Sequence, residues 1–196
     1  MKRTAGKALL RVLGWHLEGA PPAEPRCVVI AAPHTSNWDL LYMLAMSYAY
    51  DIDIRWMAKH TLFRFPLGPV MRRLGAIPIE RHLRKNVVDQ MVARFEAADA
   101  LMLTVPAEGT RRRTERWKSG FYHIALRADV PVALSFLDYA TKTGGFGPTL
   151  RMTGDVRKDM DAIRAFYADK VGKIPSDFGP VRLAEEETEA AVATVG

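Results

Sequence analysis

His34 and Asp39 stand five positions apart in the segment Pro33-His34-Thr35-Ser36-Asn37-Trp38-Asp39, directly after the apolar run Cys27 to Ala32. Histidine is the side chain best suited to take a proton near neutral pH. A carboxylate on its far nitrogen fixes the tautomer and stabilises the imidazolium as it forms. The pair therefore has the parts of a general base and its orienter. Spacing alone leaves plainer readings open: Asp39, Ser36 or Asn37 can cap a following helix, and His34 can be a satisfied turn residue. Ser36, two positions from His34, is a rival candidate as a covalent nucleophile.

Two further segments offer groups for an anionic ligand. Glu108-Gly109-Thr110-Arg111 follows the strand-like run Leu101 to Val105, at the end of a strand where open α/β sheets tend to bind ligands. The glycine lets a ligand approach the backbone, Thr110 adds a hydroxyl, and Arg111 can grip a phosphate with paired donors. Glu108 can hold either the loop or an arginine. Gly75 to Arg81 sets a second guanidinium, Arg81, at the end of a short strand. The plain alternative for both is an ordinary charged turn. The basic run Arg111 to Lys118 lacks the interleaved aromatic residues and the module of a nucleic-acid site, so no nucleic-acid partner is expected. His16, His60, His82 and His123 are scattered without metal-ligand spacing, and neither a metal nor a cofactor is expected.

The elements that must position these groups alternate. Apolar, β-branched runs predict strands over 27–32, 52–58, 75–80, 101–105 and 130–137. Helical spacing predicts helices over 39–50, 69–74, 87–98, 117–127 and 160–171. Such alternation argues for an α/β fold: a single domain with a mainly parallel or mixed central sheet flanked by helices. Ala5, Leu9, Val12, Leu13 and His16 form one stripe of a basic amphipathic helix over 1–20, which either docks on its own domain or contacts an anionic membrane. The domain proper is expected over 26–183, and 184–196 reads as a disordered tail.

Lys and Arg outnumber Asp and Glu by 28 to 22, giving a net charge of +6 and a pI near 9.6, which favours an anionic partner. Cys27 is the single cysteine, so no internal disulfide forms and a reducing compartment fits best. The apolar stretch from Leu40 to Tyr50 is too short to span a bilayer. The first residues begin like a signal peptide, but Arg11 interrupts the apolar part and the segment is expected to stay in the mature protein.

In their order along the chain, Pro33–Asp39, Gly75–Arg81, Glu108–Arg111 and Val130–Phe136 resemble the four motifs of glycerophospholipid acyltransferases, specifically lysophosphatidic acid (1-acylglycerol-3-phosphate) acyltransferases of the bacterial PlsC type. The resemblance implies His34 and Asp39 as the catalytic dyad, Arg81 and Arg111 at the phosphate, and Glu108-Gly109-Thr110 as the acceptor loop. It also implies Lys59 as a basic residue near the substrate, and a helix-covered sheet with a groove for an acyl chain. The donor would be an acyl thioester of acyl-carrier protein or coenzyme A, and the acceptor a lysophospholipid. The site would lie at a membrane surface on its cytoplasmic face, with backbone N–H groups of the two loops offered to the oxyanion. Two positions depart from the pattern: Ala107 stands between Pro106 and Glu108, and the fourth motif lacks its second proline. The rivals are a related enzyme with another lipid acceptor and a noncatalytic lipid-binding module.

Overall fold

The computed structural model describes residues 2–79 and 84–187, with the backbone alone for 84–86. Its centre is a seven-stranded sheet in the order β1-β7-β6-β2-β5-β3-β4. The strands are β1 (His16–Glu18), β2 (Arg26–Ala32), β3 (Ile54–Lys59), β4 (Ala76–Ile79), β5 (Leu101–Val105), β6 (Val132–Asp138) and β7 (Thr143–Leu150). All neighbours pair in parallel except β6 and β7, which are antiparallel, so the sheet is mixed. Strands β2, β5 and β6 read as continuous apolar runs because helices cover both faces of the sheet.

The helices are α1 (Lys2–Val12), α2 (Trp38–Tyr50), α3 (Leu67–Arg73), α4 (Arg84–Glu96), α5 (Gly120–Arg127) and α6 (Val156–Tyr167). Val28, Ile30, Leu103 and Leu134 face the main core, closed by Met91 and Phe95 of α4, Phe121 and Ile124 of α5, and Met160 and Ile163 of α6. The other face packs under α1 and α2 through Leu10, Ala45, Met46 and Ala49, with Val29 and Phe146 beside them. Among the described residues no helix is long and apolar enough to cross a membrane.

One consequence of this topology places the chemistry. From β2 the chain crosses to β3, beyond β5, and later returns to lay β5 and β6 on either side of β2. Ile30 sits opposite Val105, and Ala32 opposite Phe136. The loops leaving β2 and β5, with Pro33-His34 in one and Pro106 to Gly109 in the other, are therefore side by side.

Several boundaries depart from the sequence-based expectation. The N-terminal helix ends at Val12, where Gly14 takes a φ of +73°, and His16 begins β1 instead of continuing the helix. Its buried stripe is Gly6 and Leu10, while Leu9 and Val12 are exposed. The close contact explains the phase: a Cβ on Gly6 would meet the Ala45 carbonyl and the Ala49 nitrogen at 2.6 Å. The last helix starts at Val156, four residues before the expected start, because Asp155 caps it by accepting from the Lys158 N–H at 3.0 Å. The segment expected as a tail opens with a helical turn at 185–187, where Glu186 pairs with Arg164 and Glu187 with Arg116. Residues 188–196 lie outside the described residues.

Candidate active site

Strand β2 delivers His34 through Ala32 and Pro33, and the first turn of α2 delivers Asp39. Their Nδ1 and Oδ2 atoms are 3.1 Å apart, with Asp39 buried and the imidazole partly exposed. Asp39 Oδ2 also accepts from the Ser36 N–H at 3.0 Å, and Oδ1 accepts from the Tyr139 hydroxyl at 2.6 Å. A carboxylate at Nδ1 favours the tautomer with the proton there, in which Nε2 can accept one. Burial and the bond to Asp39 push the Tyr139 hydroxyl far above its ordinary pKa, so it remains a donor. Ser36 points its hydroxyl elsewhere: the oxygen accepts from the Trp38 N–H at 3.2 Å, at the start of α2.

Glu108 is the group that joins the two loops. Its oxygens both accept from the His34 backbone N–H, at 2.8 and 3.1 Å, and the residue is only 2% exposed. Among the described residues Glu108 thus ties the two loops together, the first of the two roles open to it. Burial raises its pKa to about 8, against the lowering effect of the His34 N–H and with a smaller raising contribution from Asp39. Gly109 has a φ of +69°, and a Cβ there would stand 2.8 Å from the Lys118 side chain. Thr110 is exposed and its hydroxyl accepts from the Arg112 N–H at 3.3 Å.

A cavity of about 450 Å³ lies between α2 and the sheet and reaches the dyad. His34, Lys59 and Arg111 line it at the C-terminal ends of the strands, whereas Leu40, Met43 and Trp56 are among the apolar side chains that make its walls. The cavity thus joins a base, two cations and an apolar slot. That combination suits a ligand with a reactive polar group, an anionic head and a hydrocarbon tail. Arg81 lies outside the described residues.

The family model described as Acyltransferase matches residues 16–133, more than half of the chain. The chain belongs to the acyltransferase family. Its fold is also that of a solved member: the structure of the 1-acyl-sn-glycerophosphate (LPA) acyltransferase PlsC from Thermotoga maritima is similar with a TM-score of 0.55 and 15% identity. That similarity covers 83% of this chain and 75% of the other. No curated protein matches the acyltransferase in sequence.

Two residues near the candidate site carry no motif signal in the sequence: Tyr139, placed there by its bond to Asp39, and Lys173, placed there by its contact with Tyr139. Tyr139 lies 100 residues from Asp39 and outside every motif. Its only sequence signal is its place just past the apolar strand β6, at the same edge as His34. Lys173 sets its ammonium 5.1 Å from the Trp38 ring and 5.8 Å from the Tyr139 ring, from a loop whose Ile174 N–H donates to Thr35 Oγ1 at 3.1 Å. Nothing in the local sequence of that loop announces a neighbour of the dyad.

Proposed function

We propose that this acyltransferase moves a fatty acyl group from a thioester of acyl-carrier protein or coenzyme A to a hydroxyl of lysophosphatidic acid or a related lysophospholipid. The reaction serves phospholipid biosynthesis at the cytoplasmic face of a membrane. The observation that carries this reading is the His34–Asp39 pair standing at an apolar cavity of about 450 Å³ with Lys59 and Arg111 beside it. The similarity of its fold to that of a 1-acyl-sn-glycerophosphate (LPA) acyltransferase supports it.

In this reading His34 Nε2 removes the proton of the acceptor hydroxyl, whose oxygen attacks the thioester carbonyl carbon. Asp39 holds the resulting imidazolium. As the tetrahedral intermediate collapses, the C–S bond breaks and the leaving sulfur takes the proton back from His34. No acyl-enzyme forms. Arg111, Lys59 and Arg81 hold the acceptor phosphate, Thr110 adds a hydroxyl, and Gly109 lets the ligand approach the loop. Glu108 keeps the His34 backbone in place.

Membrane contact is supported by the surface beside the cavity. In the 3₁₀ turn His60–Phe63 and in α3, Leu62, Leu67 and Val70 are exposed, and Phe65 between them is 91% exposed. Arg64, Arg72 and Arg73, close to them along the chain, are exposed as well. Apolar side chains flanked by cations suit insertion at an anionic lipid surface. Leu62 also lines the cavity, so a lipid taken from the bilayer would meet the site directly.

Mass spectrometry of the lipids formed from a mixed panel of lysophospholipids and acyl thioesters tests the proposal. Formation of a diacyl phospholipid from a lysophosphatidic acid is expected. Lipid binding without any acyl transfer would instead make the chain a noncatalytic lipid-binding module.

A further inference from the structure

Cations flank His34 on two sides. The strand order sets β5 on one side of β2 and β6 on the other, so the loops leaving those strands stand to either side of the His34 loop. Arg111, after β5, and Lys59, at the end of β3 beyond it, are the cations of the cavity lining. On the β6 side stand Tyr139, the residue after that strand, and Lys173 against its ring, both outside the cavity lining.

The backbone sets Lys173 in this place. The Ile174 N–H donates to Thr35 Oγ1 at 3.1 Å, and the Val171 carbonyl accepts from the Tyr139 N–H at 2.8 Å. A Cβ on Gly172 would stand 2.8 Å from Thr35 Oγ1 and 3.1 Å from Pro33 Cβ, so a side chain there would hold the loop away from the His34 loop. The Lys173 ammonium then lies over the Trp38 and Tyr139 rings, which position a cation without neutralising it. Nearby Lys170 is paired with Asp169 at 2.7 Å, whereas no carboxylate pairs with Lys173 among the described residues. Trp38, next to Asp39, is 53% exposed. An aromatic face open to solvent beneath a charged ammonium suits a ligand that is anionic at one point and partly apolar along its length.

We propose that Lys173 binds the phosphate of the donor's 4′-phosphopantetheine arm, the group through which coenzyme A and acyl-carrier protein both carry their thioester. This deepens the proposed acyl transfer and rests on it. In that transfer the thioester carbonyl lies at His34 with its acyl chain in the cavity, while Arg111 and Lys59 take the acceptor phosphate. The arm must then leave His34 by another side, and the β6 side meets it with Lys173. From sulfur to phosphorus the arm is about as long as four extended residues, ~15 Å. Lys173 is inside that span: its ammonium is 5.8 Å from the ring of Tyr139, whose hydroxyl is 2.6 Å from Asp39. The indole of Trp38 lies under the arm.

The test measures initial rates with palmitoyl thioesters of coenzyme A, acyl-carrier protein, 4′-phosphopantetheine and pantetheine, the last of which lacks the phosphate. Lys173→Ala is expected to raise the donor KM about tenfold for the three phosphorylated donors, the worth of one charge-assisted hydrogen bond. The KM for the pantetheine thioester and for the acceptor should stay as in the wild type, and Lys173→Arg should restore most of the loss. No rise, or an equal rise with and without the phosphate, overturns the site and leaves the transfer reaction standing. A rise confined to coenzyme A would put Lys173 on the nucleotide's own phosphates, and one confined to acyl-carrier protein would put it on that protein's surface; either overturns the assignment. So does a rise in the acceptor KM alone, which would place Lys173 on the acceptor or the lipid surface. Calorimetry with the unreactive S-hexadecyl thioethers of 4′-phosphopantetheine and pantetheine should show a phosphate preference in the wild type that Lys173→Ala loses. A wild type that transfers nothing overturns the reaction, and the calorimetry then decides the site by itself.

Discussion

Asp39 is held from three sides, by the His34 imidazole, the Ser36 N–H and the Tyr139 hydroxyl, and this fixes the dyad more firmly than two residues of one loop could alone. Tyr139 bonds Asp39, so in the proposed mechanism it would act on His34 through that carboxylate, as a positioning residue. Tyr139→Phe should lower kcat about tenfold, the worth of one charge-assisted hydrogen bond, with KM nearly unchanged. A merely structural change would raise KM and lower the unfolding midpoint along with kcat. Glu108 offers a prediction on stability. Its folded pKa of about 8 is above its ordinary 4.5, so its contribution to folding is complete below about pH 4.5 and is lost as pH rises through about 8. Urea unfolding at about pH 5 and about pH 9 should show the wild type losing on the order of 3 kcal/mol more than Glu108→Gln, whose side chain is neutral throughout. That His34, Asp39 and the Glu108 loop would meet was legible, because each follows a strand that reads clearly in the sequence. Tyr139 was not, since a tyrosine after a strand is ordinary until folding shows what it faces.

At the scale of elements, the strands that carry the motifs were the most readable. The run Leu101–Val105 is β5 to the residue, and β2 differs from its expected span only by the addition of Arg26, because burial on both faces leaves unbroken apolar sequence. Strand β7 was hidden by its composition, Thr-Gly-Gly-Phe-Gly-Pro-Thr-Leu, which reads as a loop. Those glycines are there for close approach: a Cβ on Gly145 would stand 1.8 Å from the Glu18 carbonyl oxygen, and one on Gly147 would stand 2.1 Å from the Phe166 ring. The N-terminal helix was misphased for a related reason, because a count of apolar side chains does not see a glycine that buries backbone against backbone. Gly6→Leu should therefore cost about 1 to 3 kcal/mol in urea unfolding, as overpacking does. It should also expose Lys7 and Arg11 to limited trypsin cleavage while the sheet stays protected.

For the whole molecule, the proposed membrane contact would draw on two features, the excess of basic over acidic residues and the exposed apolar side chains near the cavity. Phe65→Ser should weaken sedimentation with anionic vesicles about tenfold, the order expected for removing one buried aromatic side chain from the interface. Activity on a short-chain, monodisperse acceptor should be kept. These features serve the transfer only if His34 performs it. The most direct test is the transfer rate of His34→Ala, measured on protein that still sediments with the same vesicles. The account predicts a loss of on the order of a hundredfold or more with vesicle binding intact; turnover within a few-fold of the wild type would contradict it.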